Sequence, residues 1–152
     1  MAPGGYAVAV STEDHIVVQD DDPAIVYTPQ KDWYKFGGDG GNYTVTNAYL
    51  AQFVYTFTGS EIWYYSDVNG DHGNFSVALD GVSKGIRTSS APSWKPQIVL
   101  FHATLEPGTH TITVMSMNQL GNVTSLDYLA WAARSCVELL GDSPGGIADI
   151  GR

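Results

Sequence analysis

The stretch from Ile98 to Trp131, IVLFHATLEPGTHTITVMSMNQLGNVTSLDYLAW, constrains the fold more than any other part of the chain. Ile98–Ala103 is an apolar run of strand length, too short for a helix. Glu106-Pro107-Gly108 reads as a turn, because proline presets the first corner and glycine accepts a positive φ at the second. Thr109–Met115 then alternates, with Ile112 and Val114 facing one way and Thr111 and Thr113 the other, the period of a half-buried strand. After a polar loop from Asn118 to Thr124, Ser125–Ala132 returns as a strand with Leu126, Tyr128 and Ala130 on one face. A hairpin with one returning strand cannot bury its own apolar side, so the rest of the chain must supply an opposing sheet.

The remaining segments meet that demand. Tyr6–Val10, His15–Gln19 and Ala24–Thr28 are strand candidates, followed by a loop from Pro29 to Gly41 and a strand over Asn42–Thr46. Leu50–Gly59 carries the strongest alternation in the chain, with Phe53, Tyr55 and Phe57 against Gln52, Val54, Thr56 and Thr58. A Gly-Ser turn separates it from Glu61–Ser66, where Ile62 and Tyr64 oppose Trp63 and Tyr65. Asp67 to Gly73 is a polar loop. Asn74–Asp80 and Val82–Arg87 form a hairpin about Asp80-Gly81, a pair suited to a tight primed turn. Thr88 to Gln97 is a long loop. About ten strands with frequent turns, no amphipathic helix and no internal repeat predict an all-β chain, a two-sheet antiparallel jelly-roll β-sandwich. The expected division is an N-terminal strand or extension over 1–14, the sandwich over 15–135 and a tail or linker start over 136–152.

Composition narrows the partners. The 152 residues carry a formal charge of −9, so phosphate backbones and anionic membranes are repelled, and nucleic acid and lipid surfaces are set aside. No apolar run is long enough to span a bilayer. The start, MAPGGYAVAVSTEDH, lacks the basic and apolar regions of an intact signal peptide. Three sequons, at Asn42, Asn74 and Asn122, are glycosylation acceptors in a eukaryotic secretory pathway. They point to a secreted or cell-surface glycoprotein whose signal has been removed. The single cysteine, Cys136, allows no internal disulfide and reads as an inert thiol or a link to another chain.

Several segments together resemble the galactose-binding-domain-like jelly rolls of secreted and cell-surface fungal proteins. They are DDDPAIVYTPQKDW (Asp20–Trp33), FVYTFTG (Phe53–Gly59), DHGNFSVALDG (Asp71–Gly81), LFHATLEPGTHTITV (Leu100–Val114) and SLDYLAW (Ser125–Trp131). The resemblance implies a two-sheet sandwich, often one that binds carbohydrate. It also implies that a structural calcium is common, with an aspartate of the last strand among its ligands, here Asp127. Fold alone does not fix function, so these implications are analogy.

Sugar rings have apolar C–H faces and polar edges, so a sugar site needs an aromatic platform with carboxylates, amides or histidine beside it. Four loops hold such groups, and the expected carbohydrate-binding set is Trp33, Tyr34, Asp32, Asp71, His72, Trp94, Lys95 and Asn118. Trp33 reads equally as a plug over the end of the sandwich, Trp94 is the better candidate for exposure, and Trp131 reads as core. Trp63 and Tyr65 lie opposite Ile62 and Tyr64, so at least one aromatic face of that strand is a possible platform. Asp20 and Asp22, with Asp127, form the candidate calcium set, against the alternative of a hydrogen-bonded acidic turn. No cofactor is otherwise required. His102, Glu106 and His110 cannot share a helical face across Pro107-Gly108, and no nucleophile elbow occurs, so catalysis is not expected. The reading is non-catalytic carbohydrate binding, lectin-like or as an appended module. The alternatives are a structural or interaction ectodomain without a sugar site, and a glycoside-acting hydrolase.

Overall fold

A computed structural model describes residues 15–38 and 41–133. Among them lie ten strands: β1 (Ile16–Gln19), β2 (Val26–Thr28), β3 (Tyr34–Gly38), β4 (Gly41–Thr46), β5 (Gln52–Val68), β6 (Asn74–Leu79), β7 (Val82–Thr88), β8 (Lys95–Ser116), β9 (Thr124–Leu126) and β10 (Tyr128–Ala132). All pairings among these strands are antiparallel. The larger sheet runs β1-β10-β5-β8-β6-β7 with β2 also on β5, and the smaller runs β3-β4-β9. This is the two-sheet jelly roll that the alternation predicts. The candidate strand Tyr6–Val10, Cys136 and the tail lie outside the described residues.

The two longest strands organise the molecule. Phe53 and Tyr64 both belong to β5, eleven positions apart, yet their ring centroids are 5.4 Å apart. A straight strand at about 3.3 Å per residue would hold them about 36 Å apart. β5 therefore doubles over, and β8 bends with it, since the ladder continues from Gly59↔Gly108 to Glu61↔Thr104 across a register shift. Glycine is required at the bend, because a Cβ on Gly59 would meet the Ala132 carbonyl oxygen at 2.6 Å. Pro107, which has no N–H to give a ladder, falls in the unpaired stretch of β8. The expected turns at Gly59-Ser60 and Glu106-Pro107-Gly108 are thus a shared bulge, and two predicted hairpin pairs are one bent ribbon.

Alternation delivers the core as expected. Phe53 and Phe57 are almost fully buried, and Tyr55 nearly so, while Thr56 and Thr58 pair outward with Thr111 and Thr109. Phe53, Tyr64 and Phe75 meet edge to face. At Asp80-Gly81 both residues have positive φ, 53° and 80°, as a primed hairpin turn requires.

Two further expectations are corrected. The Pro29 to Gly41 segment is not a loop: after one 3-10 turn at Gln30–Asp32, β3 forms a hairpin with β4. The strand predicted over Ser125–Ala132 breaks at Asp127, with β9 in the small sheet and β10 in the large one. The Asp127 backbone accounts for the break, donating to the Tyr65 carbonyl and accepting from the Asp20 N–H. The break also resets the faces, so Leu129 rather than Tyr128 is fully buried.

Candidate functional site

One end of the sandwich gathers the loop after β5, the loop before β8 and the β3–β4 hairpin around a cleft of about 310 Å³. The loops are tied to one another by backbone. Asn69 donates to the Ser89 carbonyl and accepts from Ala91, and Val123 donates to Asp71 while accepting from Gly73. Gly73 is needed for a close approach, since a Cβ there would lie 2.1 Å from Asn118 Oδ1. That oxygen instead accepts the Asn74 N–H at 2.6 Å. Loops cross-linked in this way hold their side chains in fixed positions, which a pre-formed binding site needs.

The polar wall of the cleft is centred on His72. Its Nε2 lies 2.9 Å from Asp67 Oδ1 and its Nδ1 lies 2.8 Å from Asp71 Oδ1. Carboxylates only accept, so both ring nitrogens donate and the imidazole is held as the cation. Burial opposes that charge, but hydrogen bonds and charges of Asp67 and then Asp71 outweigh it and raise the His72 pKa. Asp67 shows the reciprocal shift: burial pushes its pKa up, and bonds from His72, Ser125 and Trp94 bring it below the usual value. Ser125 Oγ donates to Asp67 at 2.6 Å and is itself 2.6 Å from Ser66 Oγ, which continues the chain inward.

Trp94 completes the arrangement. Its Nε1 donates to Asp67 Oδ2 at 3.1 Å, while the residue remains 42% exposed. The indole is thus fixed by its polar edge with apolar surface left open. Tyr34 and Phe36 from β3 are exposed on the same cleft, and Tyr43 lies deeper, where burial and the charges of Asp67 and Asp127 push its phenol to about 12.

Of the eight residues expected to bind sugar, the structure brings four together here: Tyr34, Asp71, His72 and Trp94. The other four lie elsewhere. Trp33 is 8% exposed and packs on Tyr27 and Phe53, the plug alternative rather than a platform. Asp32 sits in the 3-10 turn, its carbonyl accepting from Thr46 and its carboxylate 3.8 Å from Lys31. Lys95 starts β8 opposite Val68 and does not line the cleft. Asn118 is buried, and beyond Asn74 its amide donates to Ser116 and Thr124, so it ties loops together. Trp63 has imidazoles near its ring, His102 stacked at 4.9 Å and His15 tilted at 4.4 Å, which makes it a poor platform. Asp67 and Ser125, the hidden supports of the wall, were not among the expected residues. The only signal for Asp67 was its place in the loop DVNGDHG.

Of the sequon asparagines, Asn42 and Asn74 are exposed, and Asn122 is half-buried with its amide donating to the His72 carbonyl at 3.3 Å.

The calcium set does not assemble. Asp22 Oδ1 accepts from the Ala24 N–H, closing its own turn. Asp20 Oδ2 is already met by the Lys35 ammonium at 2.7 Å and the Thr44 hydroxyl at 2.8 Å. Only Asp127 keeps a buried carboxylate oxygen without a partner. Calcium takes six to eight oxygens, and among the described residues no three or more His, Cys, Asp or Glu converge on a possible metal position. The residues present do not fit the ion that the resemblance implies.

No known family pattern and no curated protein sequence matches the chain. Its fold does match solved structures. The CBM36-1 domain of a multidomain xylanase from the hindgut metagenome of Trinervitermes trinervoides is 15% identical over 80% of this chain and 99% of that one, with a TM-score of 0.56. A family 35 carbohydrate binding module from Clostridium thermocellum is 14% identical over 80% and 99%, with a TM-score of 0.57. A family two carbohydrate esterase from Cellvibrio japonicus is 14% identical, with 80% of this chain matching 34% of that one at a TM-score of 0.54. At these identities the likeness is one of fold alone.

Proposed function

We propose that this chain binds carbohydrate non-covalently in the cleft bounded by Tyr34, Trp94, His72 and Asp71, as a lectin-like domain or as a module of a longer secreted or cell-surface protein. One observation carries the reading: a part-exposed indole is pinned at its nitrogen to a buried carboxylate, beside a cationic histidine and a second, exposed carboxylate. Such a wall offers an apolar face and a hydrogen-bonding edge together, the two surfaces a pyranose presents. The solved structures of similar fold include modules named for carbohydrate binding, which supports the same reading.

A hydrolytic reading has less support. Glycoside cleavage needs a carboxylic acid with a raised pKa to protonate the leaving group. Asp67 accepts from Ser66, His72, Ser125 and Trp94, and its pKa is lowered, the opposite of what a general acid needs.

The test is a panel of oligosaccharides and soluble polysaccharides read by calorimetry with EDTA present. Binding to at least one member is expected. Trp94→Ala should weaken it by about tenfold or more, in line with loss of an aromatic anchor, with a lower melting temperature as Asp67 Oδ2 loses its donor but with the protein still folded at the assay temperature. No binding across the panel would leave the scaffold reading in its place.

A further inference from the structure

We infer that the cleft selects sugars without a carboxylate and excludes uronic acids, because among the described residues the one charged lining group left free to meet a ligand is Asp71. This inference rests on the proposed carbohydrate site and adds the chemical class of its ligand. Both nitrogens of His72 are spent on Asp67 and Asp71, so its positive charge faces the wall and offers no N–H to a ligand. Asp67 accepts from His72, Ser125 and Trp94 and is 7% exposed. Asp71 gives His72 only Oδ1, and its side chain is 70% exposed. The remaining polar groups of the lining are neutral: the Tyr34 and Tyr43 phenols and the Asn69 amide.

Among the described residues, no Lys or Arg lines the cleft. Lys31 and Lys35 face Asp32 and Asp20, at 3.8 Å and 2.7 Å. Arg87 sits over the Phe101 ring, and Lys84 adds its charge near Asp80 in the β6–β7 turn. Lys95 follows Trp94 directly but lies outside the lining. A ligand carboxylate here would meet a carboxylate with no cation to answer it, on a protein of net charge −9. Sugar hydroxyls, by contrast, can donate to the open Asp71 oxygen, and a sugar ammonium would pair with it.

The test titrates the whole chain with cello-, manno- and galacto-oligosaccharides and with their C6-oxidised counterparts, which differ only in carrying a carboxylate for the C6 hydroxymethyl group. Wild type should bind at least one neutral probe and bind its oxidised partner about tenfold more weakly or worse, the gap narrowing with added salt. Asp71→Asn should narrow the same gap at low salt. Equal or tighter binding of an oxidised probe overturns the inference while leaving the carbohydrate site standing. If Lys95→Ala then abolishes that binding, Lys95 is the group that receives the carboxylate. Binding of no probe, neutral or oxidised, removes both the site and the inference.

Discussion

Asp127 is the residue whose chemistry is least at ease. One of its carboxylate oxygens is buried without a partner. Burial, followed by the charges of Asp20 and Asp67, lifts its pKa from 3.8 to about 6. A carboxyl whose folded pKa lies above its unfolded value is protonated more readily in the native state. The stability tied to that proton is fully present below about pH 4 and is lost as pH rises through about 6. Asp127→Asn should therefore stabilise the protein by about 1–2 kcal/mol at pH 7 and change it little near pH 4. Urea melts of both proteins at the two pH values isolate the effect, since the Asp67–His72 pair contributes equally to each. A variant no more stable than wild type at pH 7 would contradict the assignment. The other corrected residue is Trp33. Its position in DDDPAIVYTPQKDW suits a plug or a platform equally, because burial depends on Tyr27 and Phe53, which reach it only through the fold.

At the scale of elements, the bent β5–β8 ribbon does most to shape the molecule. Its fold-over brings Phe53 against Tyr64 and, through Trp131, lets an indole N–H reach the Tyr55 hydroxyl. Gly59→Ala should cost about 1–3 kcal/mol, because the new methyl would press on the Ala132 backbone and on Trp131 with little room to move. A melting temperature equal to that of wild type would show that the bend is loosely packed. The strands themselves were legible, since period-two patterning depends on nothing beyond the residues that carry it. The continuity across Gly59-Ser60 and Pro107-Gly108 was not. Glycine, serine and proline mark a chain reversal and a bulge alike, and only the partner strand bending at the same level distinguishes them. For the same reason the β3 strand hid inside a glycine-rich stretch, where Gly37 and Gly38 mask the pairing with Asn42 and Gly41.

At the scale of the whole molecule, the proposed glycan lies on Trp94 at the loop end of the sandwich. Half of the expected binding residues lie there because loop composition alone pointed to aromatic and polar groups. The remainder were misplaced because composition does not say which loops meet. The loop composition places Asp67 beside Asp71 and His72, but its role of holding His72, Ser125 and Trp94 is a relation between distant segments that the sequence does not show. The most direct test follows the tryptophan indole N–H signals of 15N-labelled protein during titration with a glycan that binds, each signal assigned by single Trp→Phe variants. Trp94, whose N–H is donated to Asp67, should shift progressively with ligand while buried Trp33 stays in place. A Trp94 signal unmoved at saturation, with another indole shifting instead, would place the glycan away from Trp94.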